Sequence, residues 1–312
     1  GYFGRVMYDY GGKYFFSASY RRDASSRFHP DNRWGNFWSA GASWLISKED
    51  WFDYSWINML KLKASYGSQG NDNIDNYRYA NVYTIRNSSG NPAAVPETMG
   101  NKDITWETNG NFNAGIEFEV FDSRLTGSVE FFYRKTSDML FSFPLPPTFG
   151  YTSYYANIGD MRNRGVELEL NGTVVKTNDI TWDIRLNMTN YKNKVTYLPE
   201  ERKTMTMPDG TRGYSSGNYF YGEDIPLYTF YLKKYAGVNE NGEALYYIQK
   251  KNEDGTYGER ETTTKYSDAT TYLCGTALPD VYGGFGTTFT YKGFDLSVDF
   301  TYQLGGQCYD GD

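Results

Sequence analysis

Two groups of aromatic residues lie in polar, glycine-rich stretches of the chain and are the strongest candidates for contacting a ligand. The groups consist of Phe149, Tyr151, Tyr154 and Tyr155, and of Tyr219, Phe220 and Tyr221. Rings in exposed loops can stack on sugar rings or clamp a peptide, and loops carry functional residues disproportionately often. The alternative is that these rings only pack the loops against one another or against another protein.

Residues suited to covalent or acid–base chemistry are scarce. His29 is the single histidine, and the sequence indicates no serine or cysteine as the nucleophilic partner that a hydrolase needs. The two cysteines, Cys274 and Cys308, form no metal-ligand pattern. A weak calcium-loop pattern at 252–255 is broken by Lys250 at the first ligand position. We therefore expect no enzymatic activity, no cofactor and no metal site.

The elements that must position these residues are β-strands with one apolar and one polar face. From Val281 to Leu304, apolar and polar residues alternate on both sides of a turn at Lys292-Gly293. Side chains alternate between the two faces of a strand, so this pattern predicts a hairpin with one apolar and one solvated side. Each strand is about ten residues long, which matches the wall of a transmembrane β-barrel. A helical membrane protein is excluded, because no apolar run approaches about 18 residues.

The same alternation recurs along the chain, and it predicts an all-β fold of ten to twelve antiparallel strands. Short turns are expected at Gly11-Gly12, Asp122-Ser123, 176–179 and Lys292-Gly293, and long polar loops at 23–33, 68–109, 137–160 and about 196–225. Outer-membrane barrels have short periplasmic turns and longer extracellular loops, so the long loops are expected outside. Residues 226–280 could form two wall strands or an extracellular hairpin.

Charged side chains within the predicted strands fall on one face only. Those expected to face a solvated lumen are Arg21, Lys61, Lys63, Glu117, Glu119, Glu167, Glu169, Asp183, Arg185, Asp295 and Asp299. A Lys or Arg on a lipid-facing side would cost about 2–4 kcal/mol near the bilayer midplane. The aromatic content of 19% fits girdles at the two membrane interfaces. The formal net charge of −7 and the absence of a basic run argue against nucleic acid as a partner.

Several segments of the chain have a recognisable sequence. They are YFGRV, KY and SASYRRDASSRF within residues 2–28, LKLKASYG with QGN at 60–71, NIG with RNRGVE at 157–167, and YGGF, KGFDL and YQLGG between residues 282 and 306. Together they resemble the barrel of SusC/RagA-type TonB-dependent transporters. The segments run nearly from end to end of the chain in the order that the family has.

The resemblance implies import of a nutrient, an oligosaccharide or a peptide, across the outer membrane. It implies a SusD-like surface lipoprotein as partner and the TonB–ExbB–ExbD complex as the source of energy. The family's barrels are of the plugged, 22-stranded class, so this chain would supply about half of the strands. The plug, the TonB box and the last strands of the family are not recognised in the sequence. We therefore expect residues 1–312 to be a central barrel fragment of a longer polypeptide embedded in outer-membrane lipid.

Two other classes of protein remain compatible with the sequence. A passive porin-like channel would also give alternating strands and long loops. A soluble β-rich binding module, such as a lectin or an adhesin, would instead bring its apolar faces together in a core. A plug domain distinguishes the transporter from the porin, and solubility without detergent identifies the binding module.

The period-two pattern also leads to three structural expectations. One places Phe285, Phe289, Leu296, Val298 and Phe300 on the convex face of a curved antiparallel wall. Another holds that the first strand, 2–10, and the last, 294–304, do not pair with each other. The third places Cys274 and Cys308 near each other at the extracellular rim. They would form a disulfide there or, as the imperfect hairpin register favours, remain two unpaired thiols.

Overall fold

The computed structural model describes residues 1–253 and 255–310, so one residue of the weak calcium-loop pattern, Asp254, lies outside the described residues. The first strands are β1 Tyr2–Tyr10, β2 Tyr14–Ala24, β3 Trp34–Leu45, β4 Ile57–Asn71, β5 Val82–Ser88, β6 Asn91–Met99, β7 Glu107–Val120 and β8 Leu125–Ser137. They continue with β9 Leu140–Pro144, β10 Ser153–Asn157, β11 Asp160–Lys176, β12 Ile180–Tyr197, β13 Met205–Thr206, β14 Arg212–Ser216, β15 Tyr219–Gly222 and β16 Thr229–Lys233. The last are β17 Tyr235–Val238, β18 Ala244–Ile248, β19 Glu261–Thr263, β20 Thr271–Thr276, β21 Val281–Tyr291 and β22 Phe294–Leu304.

Helix is confined to short 3₁₀ turns in the described part of the chain. They span Ile46–Lys48, Pro147–Phe149, Glu200–Arg202 and Tyr266–Asp268. Within the same residues, no helix is both long and apolar enough to cross a bilayer.

The described residues form one large sheet of ten strands, in the order β1-β2-β3-β4-β7-β8-β11-β12-β21-β22. The predicted all-β class and the antiparallel arrangement are confirmed. In this order β1 and β22 are the two outermost strands, and no ladder joins them within residues 1–253 and 255–310. The prediction that the first and last strands do not pair is therefore confirmed.

The chain divides into two compact units: unit 1 comprises 1–191 and 283–302, and unit 2 comprises 192–282 and 303–312. In unit 1 the pairing of strands sorts the side chains onto two faces, because directly opposite residues share a face. One row across the sheet is Phe16, Ala42, Ala64, Ala114, Phe131 and Val166, and the neighbouring row is Phe15, Ser43, Lys63, Gly115, Glu130 and Glu167. We call the faces that carry these rows the apolar face and the polar face.

Large side chains of the apolar face are exposed rather than packed into a core. Phe285 is 49% exposed, Leu296 63% and Phe300 52%. Phe289 is also exposed, and Val298 is half-buried. The ring of Phe285 stacks on that of Phe300 with 5.0 Å between centroids. The five residues predicted for the outer face therefore do not meet in a closed two-sheet core, which the soluble alternative required.

The expectation that charge is confined to one face is wrong at the ends of the strands. Arg22, Lys135, Arg162 and Arg164 lie on the apolar face, since their opposite residues continue its rows. Each of them lies near the strand end that leads to a long loop. The confinement of charge to the polar face therefore holds in the middle of these strands but not near the ends that lead to long loops.

The predicted short turns are confirmed by backbone geometry. Gly11 and Gly12 have φ values of +63° and +61°, and Lys292 and Gly293 have φ values of +44° and +89°. Left-handed residues in a tight turn match the twist of the paired strands, and glycine adopts them without strain.

A second turn region, the connector between β3 and β4, is fixed by one carboxylate. Glu49 Oε1 accepts hydrogen bonds from Tyr14 Oη at 2.6 Å and Trp44 Nε1 at 2.9 Å, and Lys13 Nζ lies 3.2 Å from Oε2. The hydrogen bonds from Tyr14 and Trp44 lower the pKa of Glu49 below its ordinary value.

The regions predicted as long polar loops contain strands of their own, so those assignments were wrong in part. The region 68–109 holds the hairpin β5–β6, and 137–160 holds β9 and β10, which together form a four-stranded sheet in the order β5-β6-β10-β9. Two of its strands, β9 and β10, have only five residues each, too few for the alternation that identifies a strand. Phe28, Ile74 and Ile104 form a buried cluster in this part of unit 1, with Trp106 and Tyr155 packed against it.

The region 226–280, which the sequence left open, does not form wall strands but belongs to the smaller sheets of unit 2. The strands of unit 2 form a five-stranded sheet, β13-β14-β15-β16-β20, and a three-stranded sheet, β17-β18-β19. The predicted loop at about 196–225 contributes β13, β14 and β15, so it too was wrong in part. Phe220 is fully buried in this unit, and Phe230 is 4% exposed. Cys274 and Cys308 are both free thiols, as the sequence favoured.

Candidate functional site

A cross-strand network of charges lies on the polar face of β4, β7 and β8. Lys61 Nζ lies 3.0 Å from Glu117 Oε2, and Lys63 Nζ lies 3.0 Å from Glu117 Oε1 and 2.7 Å from Glu130 Oε2. The register creates this network, because Lys61 and Glu117 are directly opposite and Glu130 is opposite Gly115, which is itself opposite Lys63. Opposite charges on adjacent strands stabilise their pairing.

A second polar cluster joins β12 to β21 and β22. Arg185 Nη2 lies 2.7 Å from Asp299 Oδ1 and 3.0 Å from Ser297 Oγ, and Arg185 Nη1 donates to Thr288 Oγ1 at 3.1 Å. Arg185 Nε donates to the same carboxylate at 2.9 Å, so the guanidinium fork and the carboxylate are fixed in orientation. Ser297 and Asp299 thus lie on the same side of β22, as the alternation predicted, and both contact Arg185.

The remaining residues of the predicted polar set share that face but form local contacts. Four carboxylates accept a hydrogen bond from a nearby side chain: Asp183 from Thr173 at 2.7 Å, Asp295 from Thr290 at 2.6 Å, Glu119 from Ser123 at 3.2 Å and Glu169 from Asn171 at 3.2 Å. Arg21 forms an ion pair with Asp23, and Glu167 lies directly opposite Glu130. The structure therefore brings Lys61, Lys63 and Glu117 together and leaves Arg21 in a separate pair.

An open cleft of about 540 Å³ runs over the polar face in front of the charge network. Its lining includes Arg5, Asp9, Lys63, Asn113 and Glu130. These side chains supply both donors and acceptors, and they can hydrogen-bond a polar ligand or ordered water.

The first aromatic group is only partly available for a ligand. Phe149 is 60% exposed, and the hydroxyl of Tyr151 lies 3.3 Å from that of Tyr83. This hydrogen bond raises the pKa of Tyr151. Tyr155 instead packs on the buried cluster and holds the guanidinium of Arg78 5.2 Å from its ring centroid. Tyr154 is half-buried in β10.

The second aromatic group forms a stacked set in unit 2. Tyr219 stacks on Phe230 with 5.2 Å between ring centroids, and Tyr221 stacks on Tyr214 at 5.1 Å. Burial raises the pKa of Tyr221. Phe220 is fully buried and packs against Tyr231, so it lies in the core of this unit and has no surface for a ligand.

Two site residues were missed by the sequence reasoning. Tyr83 and Arg78 partner the predicted aromatics Tyr151 and Tyr155, yet both lie in the region that was read as loop. The alternation of β5, in which Tyr83 and Ile85 are exposed on one side, was the available signal. His29 contacts Asp31 at 3.3 Å. Among the described residues, no three or more His, Cys, Asp and Glu side chains come together in a metal-binding group.

Comparison with known proteins adds the following findings. A family model described as "TonB dependent receptor-like, beta-barrel" matches residues 1–309. TonB-dependent receptor P3 of Formosa agariphila is 30% identical over 98% of this chain and 32% of its own length. TonB-dependent receptor SusC of Bacteroides thetaiotaomicron is 27% identical over 99% of this chain and 31% of its own length.

Solved structures agree with the sequence comparison. The chain superposes on the RagAB peptide transporter with a TM-score of 0.84 and 31% identity, covering 97% of this chain and 33% of that one. The chain thus spans about a third of the length of the relatives that it matches.

Proposed function

The chain belongs to the TonB-dependent receptor-like β-barrel family, and from this premise we propose that it forms part of the barrel wall of an active nutrient importer in the outer membrane. The observation that carries the proposal is the ten-stranded sheet with an exposed apolar face and a charged opposite face. Exposed apolar surface on this scale marks contact with a membrane or with another protein. A spanning sheet in lipid must be part of a closed barrel, because unpaired backbone groups are too costly there.

In this proposal the apolar face contacts lipid and the polar face lines the lumen. The ion pairs of Lys61, Lys63, Arg185 and their carboxylates would then lie in a solvated interior, where charge carries little cost. The regions predicted as long loops, 23–33, 68–109, 137–160 and about 196–225, would lie outside the cell, and the short turns in the periplasm.

The substrate in this proposal is an oligopeptide or an oligosaccharide. The peptide reading is supported by the 31% identity to the RagAB peptide transporter. Of the predicted aromatic side chains, Phe149 is exposed and Tyr151, Tyr154, Tyr155, Tyr219 and Tyr221 are half-buried. In this proposal Phe149, Tyr151, Tyr219 and Tyr221 contact the substrate, and Tyr154 and Tyr155 support them.

The partners in this proposal are a SusD-like lipoprotein on the outer surface and the TonB–ExbB–ExbD complex of the inner membrane. Support comes from the likeness to SusC and to RagAB. The relatives are about three times as long as this chain, so the plug and the TonB box are proposed to lie in polypeptide outside residues 1–312.

The experiment is uptake by cells that produce the protein carrying this chain in their outer membrane. Fluorescent oligopeptides and oligosaccharides are supplied in parallel, with and without TonB. Accumulation of one substrate class that disappears in the TonB-deficient strain is the expected result. Accumulation that persists without TonB would identify a passive porin. Recovery of the protein in the soluble fraction, without detergent, would identify a binding module.

A further inference from the structure

Three basic side chains adjoin one another on the apolar face, at the ends of β8 and β11 next to a long loop. Lys135 is directly opposite Arg162, and Arg164 is opposite Tyr133, two residues further along the same face. We call Lys135, Arg162 and Arg164 the basic rim. Arg164 and Lys135 are exposed, and Arg162 is half-exposed.

The charge of the basic rim is not balanced by the described residues. Lys135 Nζ lies 3.1 Å from Asp160 Oδ2, whereas Arg162 and Arg164 form no ion pair within residues 1–253 and 255–310. Like charges directly opposite each other weaken strand pairing. Asp160 of β11 balances the charge of Lys135, so Arg162 and Arg164 are the two positive charges that an anion outside the sheet would neutralise.

The position of the basic rim relative to the apolar band identifies the class of anion. On β11 the apolar face runs through Val166, Leu168 and Leu170, and it is bounded by Lys176 at the turn end and Arg164 at the loop end. The separation of these two residues is about 12 residue steps, or about 40 Å along the strand. At a strand tilt of about 40° this corresponds to about 30 Å across the membrane, the thickness of the hydrocarbon core.

We infer that the basic rim binds the phosphate of an anionic lipid headgroup in the outer leaflet. The inference rests on the proposed placement of the apolar face against lipid, and it goes beyond transport. Arg164 lies at the edge of the hydrocarbon region, and Lys135 and Arg162 lie one layer further out, at the level of the headgroups. Arginine binds phosphate through two parallel hydrogen bonds, and the acyl chains of the same lipid would lie along the aliphatic residues below.

The test measures lipid binding by the protein that carries this chain, purified in neutral detergent. Native mass spectrometry counts bound lipid A during titration with phosphorylated lipid A, with enzymatically dephosphorylated lipid A and with inorganic phosphate. The test variant is Arg162→Gln/Arg164→Gln. The control is Arg134→Gln, which removes a positive charge from the polar face of the adjacent strand, β8.

Each basic residue contributes about fivefold to binding at an anionic surface, so the double variant should bind phosphorylated lipid A about 25-fold more weakly. The control should bind within about twofold of the wild type, and added salt should weaken only the wild type and the control. In neutral detergent the double variant should melt no lower than the wild type, because it relieves the repulsion from Lys135.

Three results would overturn the inference. They are equal affinity of wild type and double variant for phosphorylated lipid A, equal affinity of the wild type for the dephosphorylated lipid, and displacement of the lipid by millimolar inorganic phosphate. Because binding is measured without TonB or a transported substrate, failure here is distinguishable from failure of the uptake assay.

Discussion

Gly165 is the position at which the packing of the sheet is most sharply testable. A Cβ added to Gly165 would overlap the backbone carbonyl oxygen of Asn190 and lie 2.8 Å from Phe132 Cζ. A backbone atom cannot move aside by changing rotamer. We therefore expect Gly165→Ala to lower the free energy of unfolding by about 3 kcal/mol, the upper end of the range for overpacking.

Gly172 in the same strand, β11, supplies the matched control. A Cβ at Gly172 would meet Ile184 Cγ1 at 3.6 Å, an ordinary contact. Gly172→Ala should therefore be neutral or stabilise by about 0.4–1 kcal/mol, because alanine restricts the unfolded chain. The two variants should thus differ by about 3–4 kcal/mol.

The assay is urea unfolding in lipid vesicles of the protein that carries this chain, followed by tryptophan fluorescence and by gel mobility of unheated samples. The expected order of midpoints is Gly165→Ala, wild type, Gly172→Ala, from low to high urea. Equal midpoints for the two variants would refute the close approach of β11 to β12.

Three further outcomes are expected. Glu49→Gln should lower the urea midpoint of unfolding at pH 7. The difference between wild type and variant should disappear as the pH falls below about 4.5, because a carboxylate with a lowered folded-state pKa loses its stabilising effect when it is protonated. An unchanged difference at pH 3 would contradict this. Phe28→Ala should destabilise the buried loop cluster by about 3–5 kcal/mol and expose residues 72–106 to protease, while the large sheet keeps its melting temperature. A maleimide should label Cys308 before Cys274, because burial raises the pKa of the Cys274 thiol and hides it; equal labelling rates in the folded protein would count against this arrangement.

The wall strands could be predicted from the sequence because each has one exposed apolar face. The bounds of β1 at 2–10 and of β22 at 294–304 follow directly from a period of two. The same alternation placed Lys61 and Glu117 on the polar face. Only the register of β4 and β7 shows that they are directly opposite and form an ion pair. The local pattern thus determines on which face of the sheet a side chain lies, and the pairing of strands determines which side chains contact each other.

The loop regions could not be predicted for a physical reason. Strands of four or five residues, such as β15 and β16, do not sustain an alternation long enough to be recognised. Phe220 illustrates the consequence: a ring in a polar stretch suggested a ligand contact, but a small sheet formed by distant segments buries it fully. The basic residues Arg162 and Arg164 were assigned to no face, because the alternation in this strand was recognised only from Val166 onward, whereas the paired strand begins at Asp160.

In the proposed function, one face of the sheet contacts lipid and the other contacts water. This arrangement can be measured with spin labels placed one at a time on Leu296, Ser297, Val298, Asp299 and Phe300, in a Cys274→Ser/Cys308→Ser background reconstituted in lipid vesicles. Accessibility to oxygen should be high and accessibility to a polar nickel reagent low at 296, 298 and 300, with the reverse at 297 and 299. Equal accessibility of both reagents at all five positions, or high nickel accessibility at 296 and 300, would contradict it.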